Sequence, residues 1–230
     1  MNHDVRWGGV AGAGAVVLVV TSRMICGSVP RIDESPESIA AYVVGHRDQI
    51  LVASVLFAVA MVLVVWFGAV LAETFRRAGS SGVLPALVLT GFAVLATLGV
   101  LVTSVMAGMT YAVTAHPALQ PIAVAPYTAL AVVGTVAGVV AALPLTASAV
   151  AIVRTGVFPR WLAWLAGAAA ATKFLAAFAV GGAGVFLPGG VLVAFVPAVL
   201  ALGWVISTTA LLIREHVPVM TGAARPLRHA

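Results

Sequence analysis

The chain has 230 residues, 62% of them hydrophobic and only 8% charged, where soluble globular domains carry about a quarter charged residues. That composition excludes a soluble fold, and the single cysteine excludes an internal disulfide. The net charge of +5 falls in short loops between apolar runs, so it requires no nucleic-acid partner.

A helix rises about 1.5 Å per residue, so about 20 apolar residues cross a hydrocarbon core about 30 Å thick. Six runs reach that length, at about 8–29, 50–72, 84–112, 127–153, 161–180 and 191–213. Backbone groups in lipid must pair within their own segment or in a closed barrel, and uninterrupted runs of this length exclude barrel strands. The expectation is an all-α, polytopic six-transmembrane-helix bundle, one transmembrane domain over 1–230.

No A-x-A-like site follows the first run, which therefore reads as a retained span and not as a cleaved signal peptide. It holds Gly8 and Gly12, a GxxxG close-packing pair, and Arg23, about 22 Å further along the axis. Arg23 shares a helical face with Gly9, Gly12, Val16, Val19 and Gly27, which reads as a buried cation. Cys26 reads as a small buried apolar side chain, because no small residue precedes it as a lipidation site requires.

Segment 30–49 is the one charged outer loop, with Arg31 and Arg47 set against Asp33, Glu34, Glu37 and Asp48. Ser35 as N-cap, Pro36 at the first helical position and Glu37 in the first turn predict a helix start. Ile39, Tyr42 and Val43 at helical spacing predict a short interfacial helix that Gly45 ends. Two readings stay open: a solvated loop, or a lid whose carboxylates face buried cations.

The second span ends in Glu73 with Arg76 and Arg77 three and four residues on, a helix-surface pair. In the third, Thr90, Thr97, Ser104 and Tyr111 recur every seven residues, with Thr103 and Thr110 on the flank. Such hydroxyls either bond back to their own helix or serve as neutral partners for a bound anion. Pro144 in the fourth span and Pro197 in the sixth withdraw amide donors from the carbonyls of Val140 and Val193, so both kinks are expected to face inward. Gly134 and Gly138 make a second GxxxG pair.

The fifth span carries the only lysine, Lys173, about 20 Å from the Arg160–Trp161 entry. Its helical neighbours Ala166, Ala169, Ala170, Ala176, Ala177 and Val180 are small, while Trp164, Leu175 and Phe178 lie opposite. Small residues let helices approach closely, so the alanine stripe, and Lys173 with it, is expected to face the bundle. A charge at mid-membrane costs about 2.5–3.5 kcal/mol on insertion scales, so two such cations ask for a reason. Either long stems snorkel to the outer interface, or Arg23 and Lys173 bind an anion such as a lipid phosphate or carboxylate, with third-span hydroxyls as neutral partners.

Arg6, Arg76, Arg77, Arg154, Arg160, Arg214, Arg225 and Arg228 fall on one side of these spans and only Arg31 and Arg47 on the other. The positive-inside rule then places both termini in the cytosol, for a multi-pass protein of the cell membrane. No carboxylate lies mid-span, which argues against a proton-coupled pump. His3, His46, His116, His216 and His229 show no metal-ligand spacing, and no nucleophile stands beside a base. Gly79-Ser80-Ser81-Gly82 and Gly181-Gly182-Ala183-Gly184 lack the lysine of a phosphate loop and read as turns.

Phe158-Pro159-Arg160-Trp161-Leu162, the charged entry to the second span and the short basic turn after it resemble a large uncharacterised family of six-span bacterial membrane proteins. The resemblance covers residues 8–214 and implies that family's fold without an agreed activity; Lys173 is not part of the family pattern. The functional expectation is a non-enzymatic membrane protein that binds an anionic lipid or amphiphile at Lys173, Arg23, Ser104, Thr97 and Thr103, with no metal and no cofactor. A facilitative carrier or channel for a small anion is the alternative, and a lipid-modifying enzyme the third reading. Expected partners are membrane lipids, an anionic amphiphile and further subunits of a homo- or hetero-oligomer in the membrane, with no nucleic acid.

Overall fold

Apolar runs without competing turn residues leave the backbone one economical solution, the helix, and the chain adopts it repeatedly. The structure, a computed structural model, describes residues 3–80, 82–181, 188 and 191–214. Among these are α1 (His3–Ile25), α2 (Pro36–Gly45), α3 (Arg47–Arg77), α4 (Val83–Ala115), α5 (Val124–Thr155), α6 (Arg160–Ala177) and α7 (Val191–Ile213), with 3-10 turns at Pro117–Ile122 and Phe178–Gly181 and no strand. All but α2 are long and apolar enough to cross a membrane, so the chain is an all-α multi-pass bundle. Gly182, Ala183, Gly184, His216, Arg225, Arg228 and His229 lie outside the described residues.

The spanning helices form a ring in chain order. Each packs on its sequence neighbours, α3 on α1 and α4, α5 on α4 and α6, and α7 closes the circle by packing on both α6 and α1. Short connections enforce this order, because consecutive helices joined by tight turns pack antiparallel.

Most span boundaries shift by one to five residues from the sequence expectation, and three of the shifts change the local structure. The first helix stops at Ile25 because Gly27 turns left-handed at φ 62°, so the chain leaves the helix there. The second spanning helix begins at Arg47, directly after α2. The fifth becomes a 3-10 turn from Phe178.

Glycines set the spacing between helices. Gly8 and Gly12 of α1 abut Val70 and Phe67 of α3, and Gly12 also abuts the Thr209 hydroxyl of α7, so this GxxxG pair is a true contact. Gly68 receives the Phe92 side chain, 2.7 Å from where a Cβ would lie, and Gly91 receives Pro144 at 2.6 Å. Pro144 and Pro197 are both buried, as expected of kinks that face inward. Of the second GxxxG pair only Gly138 is used: a Cβ there would lie 2.5 Å from the Lys173 carbonyl, whereas Gly134 has open space.

Side-chain volume is unequally distributed along the bundle. The half nearer the start of α1 is filled by Phe67, Leu71, Phe75, Val88, Phe92, Ile152, Phe158, Leu162, Trp204 and Leu212. Over the opposite end α2 lays Ile39, Tyr42 and Val43 against Ile50, Met109, Val113 and Tyr127.

Gly138→Ala is expected to lower stability by about 1–3 kcal/mol, since an added methyl must displace the backbone of α6. Gly134→Ala, with no atom within 4 Å of its Cβ, should match or slightly exceed wild type. Thermal unfolding of the two variants in detergent micelles distinguishes these outcomes.

Candidate functional site

α6 carries alanines along one face and most of its bulky residues on the other, with Leu162 the buried exception, and its burial follows that division. Ala166 and Ala169 are fully buried while Trp164 is 81% exposed and Leu175 and Phe178 face outward. Lys173 stands seven residues after Ala166, four after Ala169 and four before Ala177, in the middle of the buried stripe. Its side chain is half-buried. The ammonium makes no hydrogen bond or ion pair among the described residues and keeps accessible surface. Thirteen residues from Arg160, it lies about 20 Å along the helix, beyond the bilayer midplane.

Arg23 differs from expectation. It is exposed, in the last turn of α1, and its guanidinium donates to the Gly27 carbonyl at 2.6 Å. This is a helix C-terminal cap, where a cation meets unpaired carbonyls and the negative end of the helix dipole. α1 packs on α3 and α7, and α6 on α5 and α7, so α7 stands between the helices that carry the two cations.

The hydroxyl stripe of α4 is also placed differently. Thr90, Thr97, Ser104 and Tyr111 do share one face, but all four are exposed on the outside of the ring. Thr97 donates to its own Ala93 carbonyl at 3.0 Å, and the half-buried Thr103 to Gly99 at 3.1 Å and Val100 at 3.0 Å. The inward face went instead to Gly91, Ala96 and Gly99, because small residues admit Pro144 from α5 and Met61 from α3. Of the five residues expected to bind a ligand, Lys173 and Thr103 are half-buried and the other three exposed; α4, which carries Thr103, packs on α3 and α5, whereas α6 packs on α5 and α7.

The loop carboxylates are engaged locally and do not reach Lys173. Glu34 accepts from the Arg31 amide and the Ser38 hydroxyl, both at 2.8 Å, and these bonds hold its carboxyl below the usual range, the amide first. Asp33 pairs with Arg31 and Asp48 with Arg47. Ser35 caps α2 by accepting from the Ser38 amide at 3.2 Å. α2 rests on α4 and the 3-10 turn at Pro117–Ile122.

What α2 does is latch the exit of α1. The Tyr42 hydroxyl donates to the Cys26 carbonyl at 2.9 Å, and the Tyr127 hydroxyl to the Pro30 carbonyl at 2.6 Å. His46 stacks on Tyr42 with ring centroids 4.7 Å apart. Burial is the main cause that pushes the Tyr42 hydroxyl up to about 12, so it stays a donor at any physiological pH. Burial likewise raises the Cys26 thiol, with Arg23 partly opposing, which suits an unreactive side chain.

One feature escaped the sequence reading: an aromatic plug near mid-membrane. Trp204 of α7 stacks on Phe92 of α4 at 6.5 Å and meets Phe67 of α3 edge-on at 6.2 Å. The signal was present in the two glycines that make room for it, Gly12 against Phe67 and Gly68 against Phe92, but no periodicity links residues on separate helices. Trp204 Nε1 and Thr209 Oγ1 are fully buried there without a hydrogen-bond partner. No group of histidine, cysteine or carboxylate residues among the described ones could hold a metal ion.

Comparisons with protein-family models, curated proteins and solved structures return no match to this chain. The site therefore stands on its own geometry.

Tyr42→Phe should cost about 1 kcal/mol by leaving the Cys26 carbonyl without its donor. Faster amide exchange over residues 26–45, with α3 to α7 unchanged, is the expected reading. Because Glu34 is held below its ordinary value, its contribution to the loop is present above the ordinary carboxylate range and lost as pH falls through its folded-state value. The protection factor of the Arg31 amide, the unstructured exchange rate divided by its own rate at the same pH, should accordingly fall on acidification, and Glu34→Gln should abolish that pH dependence.

Proposed function

We propose that the protein is a non-enzymatic component of the bacterial plasma membrane that binds an anionic amphiphile between its helices, with Lys173 as the counter-charge. The observation that carries this reading is an inward-stripe lysine with an accessible ammonium and no protein partner. A cation left unpaired in low dielectric is costly, and an incoming phosphate or carboxylate offsets that cost by a charge-assisted hydrogen bond. Arg23, capping its own helix, stands outside this site, and Thr103 is the hydroxyl nearest in character to a neutral partner.

The arginine distribution supports cytosolic termini, with Lys173 in the outer half of the membrane. The motif at 158–162 supports kinship with the six-span family it resembles. Passage of a small anion is the less favoured reading, because Phe67, Phe92 and Trp204 fill the bundle between Lys173 and the cytosolic end. A binder needs one opening, a carrier two.

Native mass spectrometry of the protein in detergent with added phosphatidylglycerol tests the reading. Wild type and Lys173→Arg should hold a lipid that Lys173→Met releases, with affinity lower by about tenfold or more, the size of one charge-assisted contact. Equal retention by Lys173→Met would remove the basis for the site.

A further inference from the structure

A second anion-compatible feature lies on the outer surface of the ring and runs from the depth of Lys173 toward the arginine-bearing end of the bundle. Between α5 and α6 runs a groove of about 320 Å³, a volume within the range of about 300–1,000 Å³ typical of ligand pockets. Ala142, Thr146 and Val150 form one wall and Gly167, Ala171 and Phe174 the other. Apart from the Thr146 hydroxyl, the side chains lining both walls are hydrocarbon.

The groove has a charged end. On α5, Arg154 is one turn beyond Val150; on α6, Arg160 is two turns before Gly167 and so shares its face. Both arginines are exposed, and neither makes a hydrogen bond or ion pair among the described residues. Glu73, at the end of α3 on this side of the bundle, is already held by Arg76 and Arg77. Along α5 the wall extends from about 6 Å to about 18 Å below Arg154, which matches the reach of an acyl chain through one leaflet about 15 Å thick.

We infer that this groove is a binding site for one anionic phospholipid of the adjacent leaflet, its acyl chain lying between α5 and α6 and its phosphate between Arg154 and Arg160. Two guanidiniums supply planar, multiply donating partners that match phosphate oxygens. A spanning helix from a second copy fits the groove less well. It would cover both guanidiniums, and Glu73, the acid of α3 at that depth, is already paired with Arg76 and Arg77. The site is separate from Lys173, and either can fail without the other.

The test uses full-length protein in maltoside detergent, titrated with phosphatidylglycerol and with phosphatidylcholine of the same chains, and read by native mass spectrometry. Wild type should retain phosphatidylglycerol in preference to phosphatidylcholine at a site that Lys173→Met leaves intact. The double variant Arg154→Gln/Arg160→Gln should weaken that site by about tenfold or more. Gly167→Leu should weaken it similarly by filling the groove; no atom lies within 4 Å of its Cβ position, so the backbone need not move. Unchanged phosphatidylglycerol binding in the double variant and in Gly167→Leu would overturn the assignment. So would equal retention of both lipids, or a dimer in place of bound lipid that Gly167→Leu dissociates.

Discussion

Hydrocarbon offers a polar atom no partner, and the organisation of this bundle follows from that scarcity. The amides are satisfied along each helix, and most buried hydroxyls follow the same rule, Thr209 being an exception. Thr74 donates to Val70, Thr110 to Met106, Thr135 to Ala131, Ser148 to Pro144 and Thr208 to Trp204, each onto the carbonyl four residues back. With polar groups consumed inside single helices, little is left to hold one helix to the next except shape. Cohesion therefore rests on how closely backbones approach, which explains why Gly12, Gly68, Gly91 and Gly138 sit at the contacts. It also makes an unsatisfied group conspicuous, and Lys173 is such a group.

Where physics acts within one segment, the sequence was informative. Span number followed from run length, the start of α2 from Ser35, Pro36 and Glu37, and the buried side of α6 from its alanines. Inward Pro144 followed from its missing amide. Where the outcome depends on a competition between faces, the sequence was silent. The seven-residue repeat of hydroxyls in α4 fixed a shared face, but Gly91, Ala96 and Gly99 on the other side decided which face went inward. Arg23 was read at a depth appropriate to a span reaching residue 29, whereas Gly27 ends the helix early and turns the same arginine into a cap. The aromatic plug combines residues from α3, α4 and α7, a long-range arrangement with no local signature.

The two ends of the bundle solve different problems. At the densely filled end, aromatic volume meets glycine, and the arginines lie outside on the rim. At the other, α2 replaces volume with a tethered cover, fastened by Tyr42 and Tyr127 to the chain leaving α1. Lys173 lies between these regimes, beyond the reach of both the rim and the loop carboxylates. A cation in that position is costly in hydrocarbon unless polar surroundings or the interface come within reach of its long stem.

The chain-order ring also has a bearing on biogenesis. Five of its six seams join helices that emerge from the ribosome one after the other, so each can form as soon as its second member enters the bilayer. The sixth, between α1 and α7, must wait for the last apolar segment, and Gly9 remains bare until Thr209 and Ile213 arrive. A chain cut short before α7 would hence leave an open arc with a glycine-lined edge on α1.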